Sequence, residues 1–175
     1  MRRAGKEELG GDYIDARDAE ARLDYLREEK SGLESDVGEA EEAIADAEWD
    51  VAVLENGNGP DPDGMDVLRN SVTEREIALE QAKAALKDWE LDYGGEYGAL
   101  GSEESIIRSA SGNGETLIEE SKFADYVEEL CQDCGYIPKD IPWWISIDWD
   151  ATAENVKPDY STVELHCGTY YVRNC

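Results

Sequence analysis

The sequence predicts a mainly α protein: a long antiparallel coiled-coil helical hairpin followed by a small α+β C-terminal module. Three observations carry this reading. Apolar residues recur in alternating steps of three and four from Ala16 to Leu54, and again from Met65 to Tyr93. Between the runs lies Asn56-Gly57-Asn58-Gly59-Pro60-Asp61-Pro62-Asp63-Gly64, a stretch that no helix survives. After residue 119 the pattern changes to short apolar stretches broken by Pro and Gly and rich in aromatic residues.

Four segments follow. Residues 1–13 contain glycine and balance three basic against three acidic residues, and are expected to be a flexible tail. Residues 14–97 form the acidic hairpin. Its first seam is Ala16, Ala19, Leu23, Leu26, Lys30, Leu33, Val37, Ala40, Ile44, Ala47, Val51 and Leu54. Its second is Met65, Leu68, Val72, Arg75, Leu79, Ala82, Leu86, Trp89 and Tyr93. Lys30 and Arg75 break the seams, and are expected to face acids of the opposite run or to fix the register. The helices should be about 65 Å and about 50 Å long. The N-terminal part of the first then needs cover from the C-terminal module or a second chain, so a homodimer is one arrangement the seam allows. Asp63 is the expected N-cap of the second helix, with Asp66 near the positive end of its dipole.

Residues 98–118, with Gly98, Gly101, Gly112 and Gly114, read as a linker in which Ser105–Arg108 packs as a short turn. Residues 119–175 form the α+β module. Phe123, Tyr126, Val127, Leu130, Cys131 and Cys134 have helical spacing, and Gly135 ends that helix. Ile137-Pro138 and Ile141-Pro142 make an extended crossing. Ile145 and Ile147 suggest a short strand or extended segment. Asp148 caps a helix through Ala151, Ala153 and Val156 that Pro158 stops. Val163 and Leu165, then Cys167-Gly168, then Tyr170 and Val172 read as a closing hairpin.

Composition narrows the function. With 16 basic and 43 acidic residues the net charge is −27, which repels nucleic acid and anionic membrane and attracts basic surfaces. A hydrophobic content of 41% with five Trp and nine Tyr exceeds that of a disordered acidic tail. No apolar run is long enough to span a membrane, and no signal peptide follows Met1-Arg2-Arg3. The expected compartment is the cytoplasm.

Between Lys30 and Arg69 there are twelve acidic residues and no basic one. Nine lie on the first helix: Glu34, Asp36, Glu39, Glu41, Glu42, Asp46, Glu48, Asp50 and Glu55. They give roughly one negative charge per 3.7 Å of helix axis, close to the ~3.4 Å per phosphate of one DNA strand. A rod so charged has the spacing of a nucleic-acid strand; the plainer reading is a solvated helix face. The like-charge pairs Glu42–Asp46 and Asp46–Asp50 each cost a few tenths of a kcal/mol.

No catalytic or metal site is expected. Cys131-x-x-Cys134 with His166 and Cys167 has the donors for zinc, yet the first pair lies in an apolar helical pattern where buried thiols are common. No phosphate loop or nucleophile elbow is present, and no cofactor is implied. Trp143, Trp144 and Trp149 read chiefly as core. Because Trp143 and Trp144 are adjacent, one of them is open to an interface role.

Several residues carry a family resemblance. Phe123-x-x-Tyr126, Ile147-Asp148-Trp149-Asp150-Ala151-Thr152-Ala153, Asp159-Tyr160-Ser161-x-Val163 and Tyr170-Tyr171-Val172-Arg173 together resemble the C-terminal end of ArdA-type antirestriction proteins. The likeness covers residues 119–175; the earlier ArdA domains have no counterpart, and the heptad hairpin stands in their place. The resemblance implies an acidic, often dimeric DNA mimic from a phage or mobile element. Such a protein acts in the host cytoplasm on the basic nucleic-acid-binding surface of a restriction or CRISPR effector, without binding nucleic acid or membrane itself. It also implies Asp148, Asp150 and Asp159 as contact carboxylates. A scaffolding coiled coil without mimicry is the principal alternative, and an enzyme or zinc protein built on the C-terminal module is the third.

Overall fold

A computed structural model describes residues 9–56, 62–138 and 140–174. The elements run β1 (Tyr13–Asp15), α1 (Ala16–Asn56), α2 (Pro62–Ser102), α3 (Glu104–Asn113), β2 (Thr116–Glu119), a 3-10 turn, α4 (Phe123–Asp133), α5 (Trp149–Val156), a second 3-10 turn, β3 (Tyr160–Leu165) and β4 (Gly168–Arg173). They divide into two units, Arg27–Gly94 and Met1–Leu26 with Gly95–Cys175. Among the described residues no helix is long and apolar enough to cross a membrane.

Arg27–Gly94 is the antiparallel helical hairpin. Every seam position of the first run from Lys30 to Leu54 is buried or half-buried, as is every one of the second from Met65 to Trp89; Tyr93 is 37% exposed. Cross-helix bonds fix direction and register. Trp89 Nε1 donates to Glu29 Oε2 at 3.4 Å and Arg75 Nη1 to the Ala43 carbonyl at 2.6 Å. Lys83 pairs with Glu41 at 3.3 Å and Arg69 with Glu55 at 3.4 Å. As residue numbers rise on α1 they fall on α2. Arg75 thus interrupts the apolar seam to bond a backbone oxygen of α1, whereas Lys30 pairs with Glu34 of its own helix at 3.4 Å.

The second unit is built on a four-stranded antiparallel sheet of order β1-β2-β4-β3. Ile118 pairs with Tyr13 and Tyr171, and Thr162 with Tyr171. The period-two alternation then divides the strands between two faces. On one face Ile118, Tyr160 and Tyr171 pack with Phe123 and Val127 of α4 and Ala153 of α5. The Phe123 ring stands edge-on to Tyr160 at 4.9 Å and tilted to Tyr171 at 4.7 Å. On the other face Leu117, Val163, Tyr170 and Val172 are buried. Ala16, Ala19, Leu23 and Leu26 at the start of α1 and Leu100 at the end of α2 are also buried within this unit.

Polar bonds position these helices. Asp15 Oδ1 accepts from the Arg17 backbone at 2.9 Å and caps α1; the Arg17 guanidinium also holds the Asp15 carboxyl below its usual pKa. Arg22 and Glu96 form a buried two-bond pair at 2.9 and 2.7 Å. Arg108 of α3 gathers Glu20, Asp24 and Glu104 at 2.5, 2.7 and 2.8 Å.

Four expectations are corrected. The linker expected over 98–118 is structured: α2 runs on to Ser102, Ser105–Arg108 lies within the ten-residue α3, and β2 follows. Burial of Glu96, Leu100, Ile107 and Ala110 outweighs the helix penalty of about 1 kcal/mol per glycine. For the same reason α2 has 41 residues, as many as α1, and is about 60 Å long rather than about 50 Å. The tail expected over 1–13 ends in buried Leu9 and the first residue of β1; residues 1–8 lie outside the described residues. Asp63 does not precede α2, which begins at Pro62, where proline's fixed φ suits a first helical position.

Candidate acidic interface and aromatic groove

The nine carboxylates of α1 are all exposed, and the hairpin sorts them. Glu34, Glu41, Glu48 and Glu55 recur every seven residues, one position after the seam, and so line one flank. Three of them are paired: Glu34 with Lys30, Glu41 with Lys83 and Glu55 with Arg69. These are exposed pairs worth at most about 1 kcal/mol each. Asp36, Glu42, Asp46, Glu48 and Asp50 make no ion pair among the described residues, and Glu39 bonds only the Ser35 hydroxyl at 3.4 Å. Glu39, Glu42, Asp46 and Asp50, three or four residues apart, form one stripe away from the seam. Omitting the three paired acids leaves six between Asp36 and Asp50, roughly one charge per 3.7 Å of axis over a shorter stretch of about 22 Å, still close to the ~3.4 Å of a DNA strand.

The C-terminal acids divide as well. Asp148 Oδ1 accepts from the Ala151 backbone at 2.9 Å and caps α5, so one of its two oxygens serves the fold. Asp150 is exposed in the first turn of α5, and Asp159 is exposed beyond its far end. Roughly 12 Å of helix separates those ends, so the three do not form one cluster.

Cys131, Cys134 and Cys167 are free thiols. Cys131 packs half-buried against the core. Gly135, at φ 70°, closes α4 beyond Cys134: its N–H bonds the Gln132 carbonyl and that of Tyr136 bonds the Cys131 carbonyl, at 3.1 and 2.9 Å. His166 and Cys167 occupy the turn between β3 and β4, where Cys167 Sγ lies 3.4 Å from Tyr170 Oη; they are not on a strand. No group of three or more His, Cys, Asp or Glu among the described residues is arranged to hold a metal ion.

The tryptophans differ most from expectation. Trp143 is 91% and Trp144 70% exposed, so neither of the adjacent pair is core. Their rings stand edge to face at 5.8 Å. Trp149 is half-buried. Trp143 and Trp149, with Ile137, Pro138, Ile141, Pro142, Ile145 and Ile147, border a groove of about 640 Å³, whose other wall is Glu128, Gln132 and Asp133 of α4; Trp144 packs on Trp143 outside it. The sequence signal for this groove is the Ile-Pro repeat. Each proline lacks a backbone donor and pushes its predecessor into extended geometry, so this segment joins no sheet and holds its aromatics at the surface. A turn within it is closed by the Ile145 N–H, which donates to the Pro142 carbonyl at 2.9 Å.

No known family model, curated protein or solved structure matches this chain.

Proposed function

We propose that the chain is a phage or mobile-element inhibitor of a host defence nuclease, either a CRISPR or a restriction effector. It acts without catalysis, as an acidic nucleic-acid mimic on the enzyme's DNA- or RNA-binding surface. The observation that carries the reading is the exposed acidic face of α1, whose stripe from Glu39 to Asp50 has no cationic partner among the described residues. The ArdA-like residues of the C-terminal module support the same class, with Asp150 and Asp159 as further contacts and Asp148 chiefly a cap. The weak pairs at Glu34, Glu41 and Glu55 can open to meet arginines of a groove at little cost. Opposite charge would make association fast and salt-sensitive.

Phage plating on matched strains, each carrying one type I restriction or one CRISPR system, tests this reading. Expression of the protein should rescue plating on at least one strain; no rescue across a broad panel, with the protein present, would count against it.

Scaffolding is the second reading, and one observation favours it. Ile77 and Leu91 are 54% and 75% exposed and lie two heptads apart on α2, with exposed Ala84 midway, a line on which another helix could lie. Under that reading activity follows Ile77 and Leu91 and ignores the acidic stripe.

A further inference from the structure

We propose that the groove bordered by Trp143 and α4 is a docking site for an apolar, arginine-bearing segment of a protein partner. The proposal deepens the reading above only in naming a second contact on the same basic partner; the groove itself is argued independently. Trp143, Trp144 and Ile145 are 91%, 70% and 52% exposed, whereas Phe123, Tyr160, Tyr170 and Tyr171 of the same module are all buried. Covering the Trp143 indole would remove on the order of 200 Å² of apolar surface from water.

Chemistry selects the occupant. The floor is isoleucine and proline, which ask for aliphatic side chains, while Glu128 and Asp133 stand on the wall. No described residue lining the groove is cationic. A guanidinium meets both demands, because it stacks on an indole face and bonds a carboxylate through two parallel N–H groups. The proline-punctuated wall offers few backbone donors, so the segment is held by its side chains and not by strand addition.

The test uses the full chain and two blocked peptides, Ac-Leu-Arg-Leu-Arg-Leu-NH2 and its Leu-Glu counterpart. Binding is read by indole NMR shifts in about 0.3 M salt, where the Debye length falls well under about 8 Å and diffuse attraction to the acidic chain is screened. The arginine peptide should bind and the glutamate peptide should not. W143A/W144A, folded by circular dichroism because both side chains are exposed, should lose at least about tenfold in affinity, as expected of hot-spot residues. The quadruple variant E39K/E42K/D46K/D50K should bind within about twofold of the parent. Unchanged affinity in W143A/W144A, or no binding of the arginine peptide, would overturn the proposal. So would concentration-dependent dimerisation that W143A/W144A abolishes, since a second copy would then be the occupant. Failure here with defence inhibition still lost in the quadruple variant would remove the groove and leave the acidic mimic standing.

Discussion

Arg22 and Glu96 show how a single pair can decide whether this unit folds. Both are almost fully buried and share two hydrogen bonds, so each neutralises a charge the interior could not hold alone. Arg22→Met with Glu96 intact should lose about 3–5 kcal/mol, whereas R22M/E96L should come close to the parent; urea denaturation of both variants checks this. Two tyrosines set an alkaline limit. Burial raises the Tyr160 and Tyr170 hydroxyls well above their ordinary pKa, helped by Tyr126 and Cys167 respectively. The folded state holds these protons more tightly than the unfolded chain, whose tyrosines ionise near pH 10. Their contribution is therefore complete below about pH 10 and is lost as pH rises beyond it. Melting temperature should fall above pH 10, and less steeply in Y160F.

At the scale of elements, sequence periodicity locates most of the helices because burial follows the apolar pattern. The two seams emerge almost position for position, and Asp148, Gly135 and Pro158 bound α4 and α5 as their backbone chemistry requires. What periodicity does not show is tertiary override. α3 is ten residues with four glycines or serines, and only the burial of Ile107 and Ala110 makes it a helix. β1 is three residues long and exists through its ladder to β2. The acids on α1 are readable as residues but only partly as two groups: the Lys30–Glu34 pair is a local i,i+4 contact, whereas the pairing of Glu41 and Glu55 depends on which α2 cations they meet. The aromatic groove is only half legible: the prolines mark an irregular segment, but tryptophan content alone points towards the core. Phe123 stacks on Tyr126 of its own helix and meets Tyr160 and Tyr171 of the sheet, and Phe123→Ala should cost about 3–5 kcal/mol, read by thermal unfolding.

Across the whole molecule, a net charge of −27 makes the chain repel itself. Salt should therefore stabilise it: raising NaCl from about 0.01 to about 0.3 M shortens the Debye length from about 30 Å to under 8 Å and should raise the melting temperature by several degrees. The same salt should weaken any complex with a basic target, so stability and binding should move in opposite directions. Reversing the charge of the stripe separates a charged ligand from a merely soluble helix. The most direct test is plating efficiency on the rescued strain with the parent and with E39K/E42K/D46K/D50K, both verified as folded by circular dichroism. The mimic reading predicts that the variant loses rescue by orders of magnitude while its melting temperature is unchanged or higher. A folded variant that rescues as well as the parent would contradict it.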